Sequence, residues 1–446
     1  MISFRHKLVV ASGLFLLSCN LWGMDFLLGV DQTFSLGLYP EYSDLRQTST
    51  EGMASVYLTP FFSVGPLELN GRFGVGVDKH GEAGFELDTA YAGLELRAGL
   101  FRVELGRFKD RIGYAAFFAV ADPQLGVDPF RILGADVATS VAGADMARIS
   151  LALGNAQLRL GVIPFRPALP RLDTSPPWFP RKIFPQSVNF LGFTYFLRDV
   201  VQEEEDALVW NVKDMSFLVD FRIPIADADV YASFYQGWDR EGLFVPCLKL
   251  DAPEYDIILE FQRRKVISVA TGFEALWGDA RMWSECGYDD QRAYLIEGAV
   301  LPLDETALVQ SGTLRYTLGF AYTFPWAFTT AFVEFGDRLL LDIDEKAVPS
   351  MPPLVSGVMG GLMAKFLDGR LEPSVLLLAS PLRSSSSSIS EPGFACVFNV
   401  KWAPSLEQEF SVSMPLFLGG ASATASDVPG LFKDTKYLVL KVLLRL

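Results

Sequence analysis

The chain has 446 residues, 50% of them hydrophobic, and a formal net charge of −15 with a sequence pI near 4.7. This acidic balance excludes a nucleic-acid binder, which needs a basic footprint. The length suits one large barrel or two to three ordinary domains, yet no uninterrupted apolar run reaches the roughly 18 residues of a membrane helix.

The longest apolar run, Leu8 to Cys19, follows Arg5, His6 and Lys7. A basic start, a short apolar stretch and an early position read as a signal peptide over residues 1–23. Residues 24–446 are then one barrel. Cleavage is expected after Gly23, with Leu16-Leu17-Ser18-Cys19 as a lipobox-like alternative that would lipidate Cys19. The remaining cysteines, Cys247, Cys286 and Cys396, are odd in number and far apart. They form neither a disulfide framework nor a zinc spacing, and no metal or cofactor is expected. Cys396 falls on the apolar face of a predicted strand and reads as a small hydrophobe.

Period two is the decisive signal, because alternate side chains of a strand point to opposite faces. In Phe26–Leu38, Phe26, Leu28, Val30, Phe34, Leu36 and Leu38 share one face, with Gln32 the only polar member. Leu67–Asp78 repeats the pattern. Thr313–Phe324 is cleanest: Leu314, Tyr316, Leu318, Phe320, Tyr322 and Phe324 oppose Thr313, Arg315, Thr317, Gly319, Ala321 and Thr323. Similar alternation marks 53–63, 85–106, 147–163, 215–222, 229–238, 255–276, 327–336, 355–379, 394–402, 407–416 and 436–446. Segments of about 9–11 residues are long enough to cross a bilayer at a tilt, and about 16–18 strands are expected, in keeping with the even strand numbers of bacterial barrels. That is too many strands for one sandwich, and no internal repeat suggests a propeller. The fold expected is all-β, a closed antiparallel transmembrane barrel, since unpaired backbone groups cannot be left in lipid.

The polar face of these strands supplies the expected pore lining: Glu68, Arg72, Arg102, Glu104, Arg148, Arg159, Asp220, Arg222, Glu260 and Arg315. Both signs facing a pore favour small polar solutes and ions, although such charges can also pair and close it. Aromatics near strand ends are expected to form girdles at the membrane interfaces. They are Tyr39, Tyr57, Phe61, Phe62, Tyr195, Phe196, Trp238, Trp277, Trp283, Trp326 and Trp402.

Alternation breaks over Phe108–Met146, which carries Asp110, Arg111, Asp122, Asp128 and Arg131 as constriction candidates. A long irregular stretch inside a barrel tends to be functional. It either folds into the lumen or lies outside as a surface loop. Residues 164–186 are proline-rich, with Arg166, Arg171, Arg181 and Lys182, and cannot be a central strand. They read as a solvated loop, a rigid outer cover or a basic constriction. Gln202–Asp206, Asp289-Asp290 and Asp342–Glu345 read as solvated acidic loop tips, and Ser384–Ser388 as a flexible loop.

Residues 436–446 end the chain in a strand with Leu438, Leu440, Val442, Leu444 and Leu446 on one face. This resembles the C-terminal strand by which outer-membrane proteins are recognised by the barrel assembly machinery. That pattern usually closes on an aromatic residue, and Leu446 stands here instead.

The order of segments also carries a likeness. AYAGLELRAGLFRVELGRFKDRIGY precedes FFAVADPQLGVDPFRIL; then come LRLGVIPFRPALPRLDTSPPWFP and YTLGFAYTFPWAFTTAFVEFG. This resembles a group of large porin-like outer-membrane barrels, in which a strand ending in Gly-Arg leads into an Asp-Pro-rich segment and a Pro-rich loop ends near Ser-Pro-Trp. Gly106-Arg107, Asp122-Pro123, Asp128-Pro129 and Ser175–Trp178 stand in those places. Phe108 and Ile112-Gly113 replace the family's Gln and Trp-Gly. The loose motifs cover about a third of the chain. The resemblance implies a barrel with a transport role and supplies no substrate.

The expected function is a porin-like channel for small polar solutes or ions in the outer membrane of a diderm bacterium. The alternatives are a transporter for a hydrophobic or lipid-like solute, and a surface-exposed structural or adhesin barrel. An enzyme is not expected: residues 24–446 hold one histidine, His80, in an apparent turn, and neither G-x-S-x-G nor H-E-x-x-H occurs. The partners expected are outer-membrane lipid, the assembly machinery and small solutes. Homo-oligomerisation stays open, because the sequence shows no interface signature.

Overall fold

The structure is a computed structural model. It describes residues 24–40, 48–64, 66–78, 83–96, 100–109, 111–122 (without 116 and 119), 126–127, 141–164, 187–190, 193–202, 211–239, 243–251, 254–262, 264–296, 308–341, 349–350, 357–380, 393–405, 408–418 and 438–445. The leader, His80, the proline-rich loop and the serine run lie outside the described residues.

Strands β1 (Met24–Pro40), β2 (Thr48–Val64), β3 (Leu67–Asp78), β4 (Ala83–Leu96) and β5 (Phe101–Phe108) begin a wall. After two short strands, β6 (Gly126–Val127) and β7 (Val141–Ala142), it continues as β8 (Ala144–Leu153) and β9 (Ala156–Ile163). β10 (Ser187–Phe190) and β11 (Phe193–Gln202) leave the wall, which resumes with β12 (Ser216–Ile225) and β13 (Ala228–Trp238). β14 (Leu243–Asp251) and β15 (Glu254–Gln262) leave it again. β16 (Lys265–Trp277), β17 (Ala280–Ile296), β18 (Leu308–Phe324) and β19 (Thr329–Leu341) follow. Beyond the two-residue β20 (Pro349–Ser350) come β21 (Gly357–Met363), β22 (Leu371–Ser380), β23 (Gly393–Ser405), β24 (Gln408–Leu418) and β25 (Leu438–Arg445).

Each wall strand pairs antiparallel with the next one. β25 then pairs with β1, Arg445 opposite Asp31 and Leu438 opposite Leu38. The order of pairing is therefore cyclic. The sheet counts 19 strands, and setting aside β20, which only bridges the far end of β17, leaves eighteen around the ring. A ring of this kind has no exposed edge to satisfy.

The wall is apolar outside and polar inside. Along β12, Ser216, Leu218 and Asp220 are buried while Phe217, Val219 and Phe221 are exposed. On β5, Glu104 is 3% exposed and the next residue, Leu105, 62%. On β18, Ser311, Thr313, Arg315 and Thr317 are buried, and Leu318 and Phe320 face out. In water, this polarity would cost free energy over the whole surface; in lipid it is the stable arrangement.

Connections alternate in length. At one end the strands turn tightly: Gly154-Asn155 joins β8 to β9 and Gly278-Asp279 joins β16 to β17, each glycine with a left-handed φ (65° and 58°) that a side chain disfavours. Ala226 takes the same conformation (φ 53°) between β12 and β13. The other end carries the long connections, including 109–143, 164–215 and 239–264.

Several expectations change. The runs 85–106, 147–163 and 355–379 are each two strands with a turn between them. The run 255–276 divides between β15, outside the wall, and β16, within it. β17 went unpredicted, so Asp289-Asp290 is not a loop tip: Asp289 is fully buried within a strand. Asp342–Glu345 lies outside the described residues, as does Gln202–Asp206 beyond Gln202.

β10, β11, β15 and β14 form a separate four-stranded sheet, joined through a parallel β11–β15 ladder. It ties together the two long connections between β9 and β12 and between β13 and β16. Arg198 on β11 holds Asp256 on β15 with two hydrogen bonds, 2.9 and 2.5 Å. Glu260, predicted to line the pore, belongs to this sheet and not to the wall, and its side chain lies outside the described residues. Tyr195 and Phe196 belong there too, so they are not girdle residues.

Candidate functional site: a segment held inside the ring

The chain leaves β5 at Phe108, and residues 111–122 pass into the ring's interior to meet strands far around the wall. They carry no regular structure, so their backbone amides need partners. Two wall glutamates supply them. Glu285 on β17, 1% exposed, accepts from the amides of Tyr114, Ala115 (2.9 Å) and Val120 (3.3 Å). Glu334 on β19, fully buried, accepts from Phe117 (2.8 Å) and Phe118 (2.7 Å), while the Trp283 indole donates to its second oxygen (3.0 Å). Carboxylates accepting several amide bonds form charge-assisted contacts stronger than neutral ones.

Other bonds fix the ends. Asp122 accepts from the Ile112 amide (2.6 Å), closing the segment on itself. Arg222 on β12 donates to the Ile112 carbonyl (2.8 Å), and Arg281 on β17 to that of Tyr114 (3.4 Å). The Arg111 side chain turns back onto the Ala115 carbonyl (3.2 Å). The Tyr114 hydroxyl donates to Asp229 on β13, and its ring meets Tyr231 edge-on at 5.5 Å. Burial first, then the bond to Asp229, holds the Tyr114 phenol above its usual range, which keeps it a neutral donor.

Packing accompanies the polar clamp. Ile112, Val120 and Ala121 join Phe108, Met146, Leu218, Tyr231, Tyr235 and Val266 in an apolar cluster inside the ring. Two wall glycines make room. A methyl group on Gly336 would stand 2.2 Å from Phe118, and one on Gly287 2.6 Å from Val120.

Eight of the remaining predicted lining residues, all but Arg72, face inward and are paired. Arg102 bridges Glu68 (3.1 Å) and Glu104 (2.9 Å), and Arg148 also reaches Glu104. Arg159 binds Asp220 (2.5 Å), and Arg222 lies 3.7 Å from Asp229. Arg315 is 2% exposed, bonded to Asp289 (2.7 Å), which in turn meets Arg292. Arg72 lies on β3, its side chain outside the description. Of the constriction candidates, Arg111 and Asp122 belong to the inward segment, while Asp110, Asp128 and Arg131 lie outside the described residues. Sequence reasoning missed Glu285, Glu334, Trp283 and Asp229. Trp283 faces inward onto Glu334, so it is not a girdle residue. The one available signal was Glu334 itself, a lone carboxylate in the otherwise apolar run Ala331–Phe335. At the tight-turn end, Trp277, Trp326 and Trp402 are outward and exposed, as girdle residues should be.

No protein-family model matches the sequence, and no curated protein matches it. Solved structures share the fold. OccAB3 of Acinetobacter baumannii aligns over 95% of this chain and 99% of its own, with a TM-score of 0.51 at 7% identity. OccK2 (OpdF) of Pseudomonas aeruginosa aligns over 95% and 98%, with a TM-score of 0.51 at 9% identity. OccK2 has also been solved in complex with glucuronate, a structure that matches at a TM-score of 0.50, 9% identity and the same coverage. These neighbours are outer-membrane porins, and the fold of this chain is theirs.

Proposed function

We propose that this chain is an outer-membrane channel of a diderm bacterium, a closed transmembrane barrel whose passage is narrowed by residues 111–122. The observation that carries this reading is the clamp of Glu285 and Glu334 on five backbone amides, which fixes a non-wall segment inside a ring that is apolar outside. Small polar solutes or ions would pass between the segment and the uncovered part of the inner wall. The inward carboxylates are committed to amides and arginines, which suits a passage better than a catalyst. Residues 1–23 would direct export, residues 436–446 would be read by the assembly machinery, and the exposed apolar band would meet lipid.

Planar-bilayer recording of the refolded protein tests the reading. Stepwise conductance is expected, and excising residues 111–122 should raise it. Absence of conductance across a range of voltages would overturn the channel. An unchanged conductance after the excision would overturn the constriction.

A further inference from the structure

Apart from the apolar cluster packed against residues 111–122, a second sector of the wall breaks the rule of a polar interior. On β21–β24 the outward residues are apolar, as Leu377, Phe394, Phe398 and Met414 show by their exposure. Their neighbours on the inner face are apolar as well. Residues directly opposite in a ladder share a face, and the register sets Leu376 beside Val397 and Val397 beside Pro415. Above them, Leu378 stands beside Ala395 and Ala395 beside Phe417. The inward direction of Leu376 is fixed by Gly361, where an added methyl group would meet Leu376 at 2.8 Å and the Phe332 ring at 2.5 Å. Leu376, Leu378 and Val397 are only half-buried, so they remain within reach of a solute.

Toward the tight-turn end this sector changes character in steps. The next layer is a hydrogen-bonding row: Ser413 donates to Asn399 (2.9 Å), and Asn399 to Ser374 (3.5 Å). Below it, Lys401 lies between Glu372 (3.6 Å) and Glu409 (3.3 Å), and Lys365 also reaches Glu372 (3.8 Å). The charges in this layer balance. They balance too across the ring, where Arg102 and Arg148 meet Glu68 and Glu104, and Arg159 meets Asp220. Balanced pairs leave no strong field of one sign to select a net charge.

Resting on the channel reading, we infer that this sector selects amphipathic solutes without net charge, with an apolar body along Leu376 and Val397 and a zwitterionic or polar head on the Asn399 row and the Lys401 layer. Apolar amino acids have this chemistry. An apolar body gains by leaving water for this surface, whereas an equally small polar body does not.

Liposome swelling with reconstituted full-length protein tests the inference, using leucine, glutamine and glycine as zwitterions of the same net charge. Leucine should be admitted about fourfold faster than glutamine, the factor one newly buried methylene is worth. The double variant Leu376→Asn, Val397→Thr, close in volume and checked for folding by heat-modifiable gel migration, should lose that preference. The outward variant Phe398→Ala should keep it. Leucine entering no faster than glutamine, or a preference that survives in the double variant, overturns the inference while leaving the channel intact. If none of the three amino acids enters, the channel reading falls and the inference falls with it.

Discussion

Glu285 and Glu334 each serve several donors at once, so small changes to them have distinct outcomes. Glu285→Ala leaves the amides of Tyr114, Ala115 and Val120 without their acceptor, at about 1–3 kcal/mol for each buried donor left unmade. That loss weakens the hold on the segment, and single-channel recording is expected to show higher, noisier conductance. Glu334→Gln is subtler. A glutamine amide has one oxygen and one donor nitrogen, so it can satisfy either Phe117 and Phe118 or the Trp283 indole, but not both. Trp283 emission should shift, with a smaller rise in conductance than for Glu285→Ala. At a third position the change is stabilising. Ala226 holds a left-handed φ of 53° in an exposed turn, a conformation costing a non-glycine residue about 1 kcal/mol. Ala226→Gly should raise stability by about that amount in urea titrations of the refolded protein.

Among elements, the inward segment and the side sheet stand apart from the wall. The side sheet depends on the Arg198–Asp256 latch between β11 and β15. The hydrogen bond from Arg198 holds Asp256 below the ordinary carboxylate range. The folded form is thus favoured while Asp256 is ionised. This contribution is complete above the unfolded value of about pH 4 and is lost as pH falls through the lower folded value. Protection of the β11 and β15 amides, with the intrinsic pH dependence of exchange divided out, should match at pH 7 and pH 5 and fall, giving faster opening, as pH drops below about 4, with the wall strands unaffected. Arg198→Gln should give the fast exchange already at pH 7. The side sheet was illegible beforehand because its strands alternate like wall strands, and nothing local distinguishes Glu260 from Glu104. β17 was missed for the opposite reason. Trp283 faces inward and Ser284 outward, and a bulge at Gln291 (φ 54°) shifts the register before Arg292. Each of these features erases the alternation that made β18 plain. The segment 108–146 was recognisable as irregular, but its direction was not, because the carboxylates that pull it inward lie more than 160 residues away.

For the whole molecule, the regular two-residue period was enough to foresee an all-β chain with strands of membrane-crossing length. It was enough because a wall that is apolar outside and polar inside requires an apolar residue at every second position. What it concealed was the inner face, where charges pair, where a segment is inserted, and where β21–β24 turn apolar. The ring also makes stability collective. Removing β25 would expose the open edges of β1 and β24 together, so deletion of residues 438–446 should abolish the compact, heat-modifiable form rather than merely weaken it. A smaller deletion within a long connection should leave that form intact.

The pairing of β1 with β25 has a topological consequence. Met24 and Arg445 both lie toward the end that carries the tight turns, on adjacent strands. The first and last strands of the ring, β1 and β25, are therefore neighbours on a circle that has no privileged origin. A short linker could join them, and a new opening could be cut in the connection between β4 and β3 or between β22 and β23. Such a circular permutant should assemble the same ladder from a rotated gene order. Its refolding yield would separate what the circle itself specifies from what depends on which strand is made last.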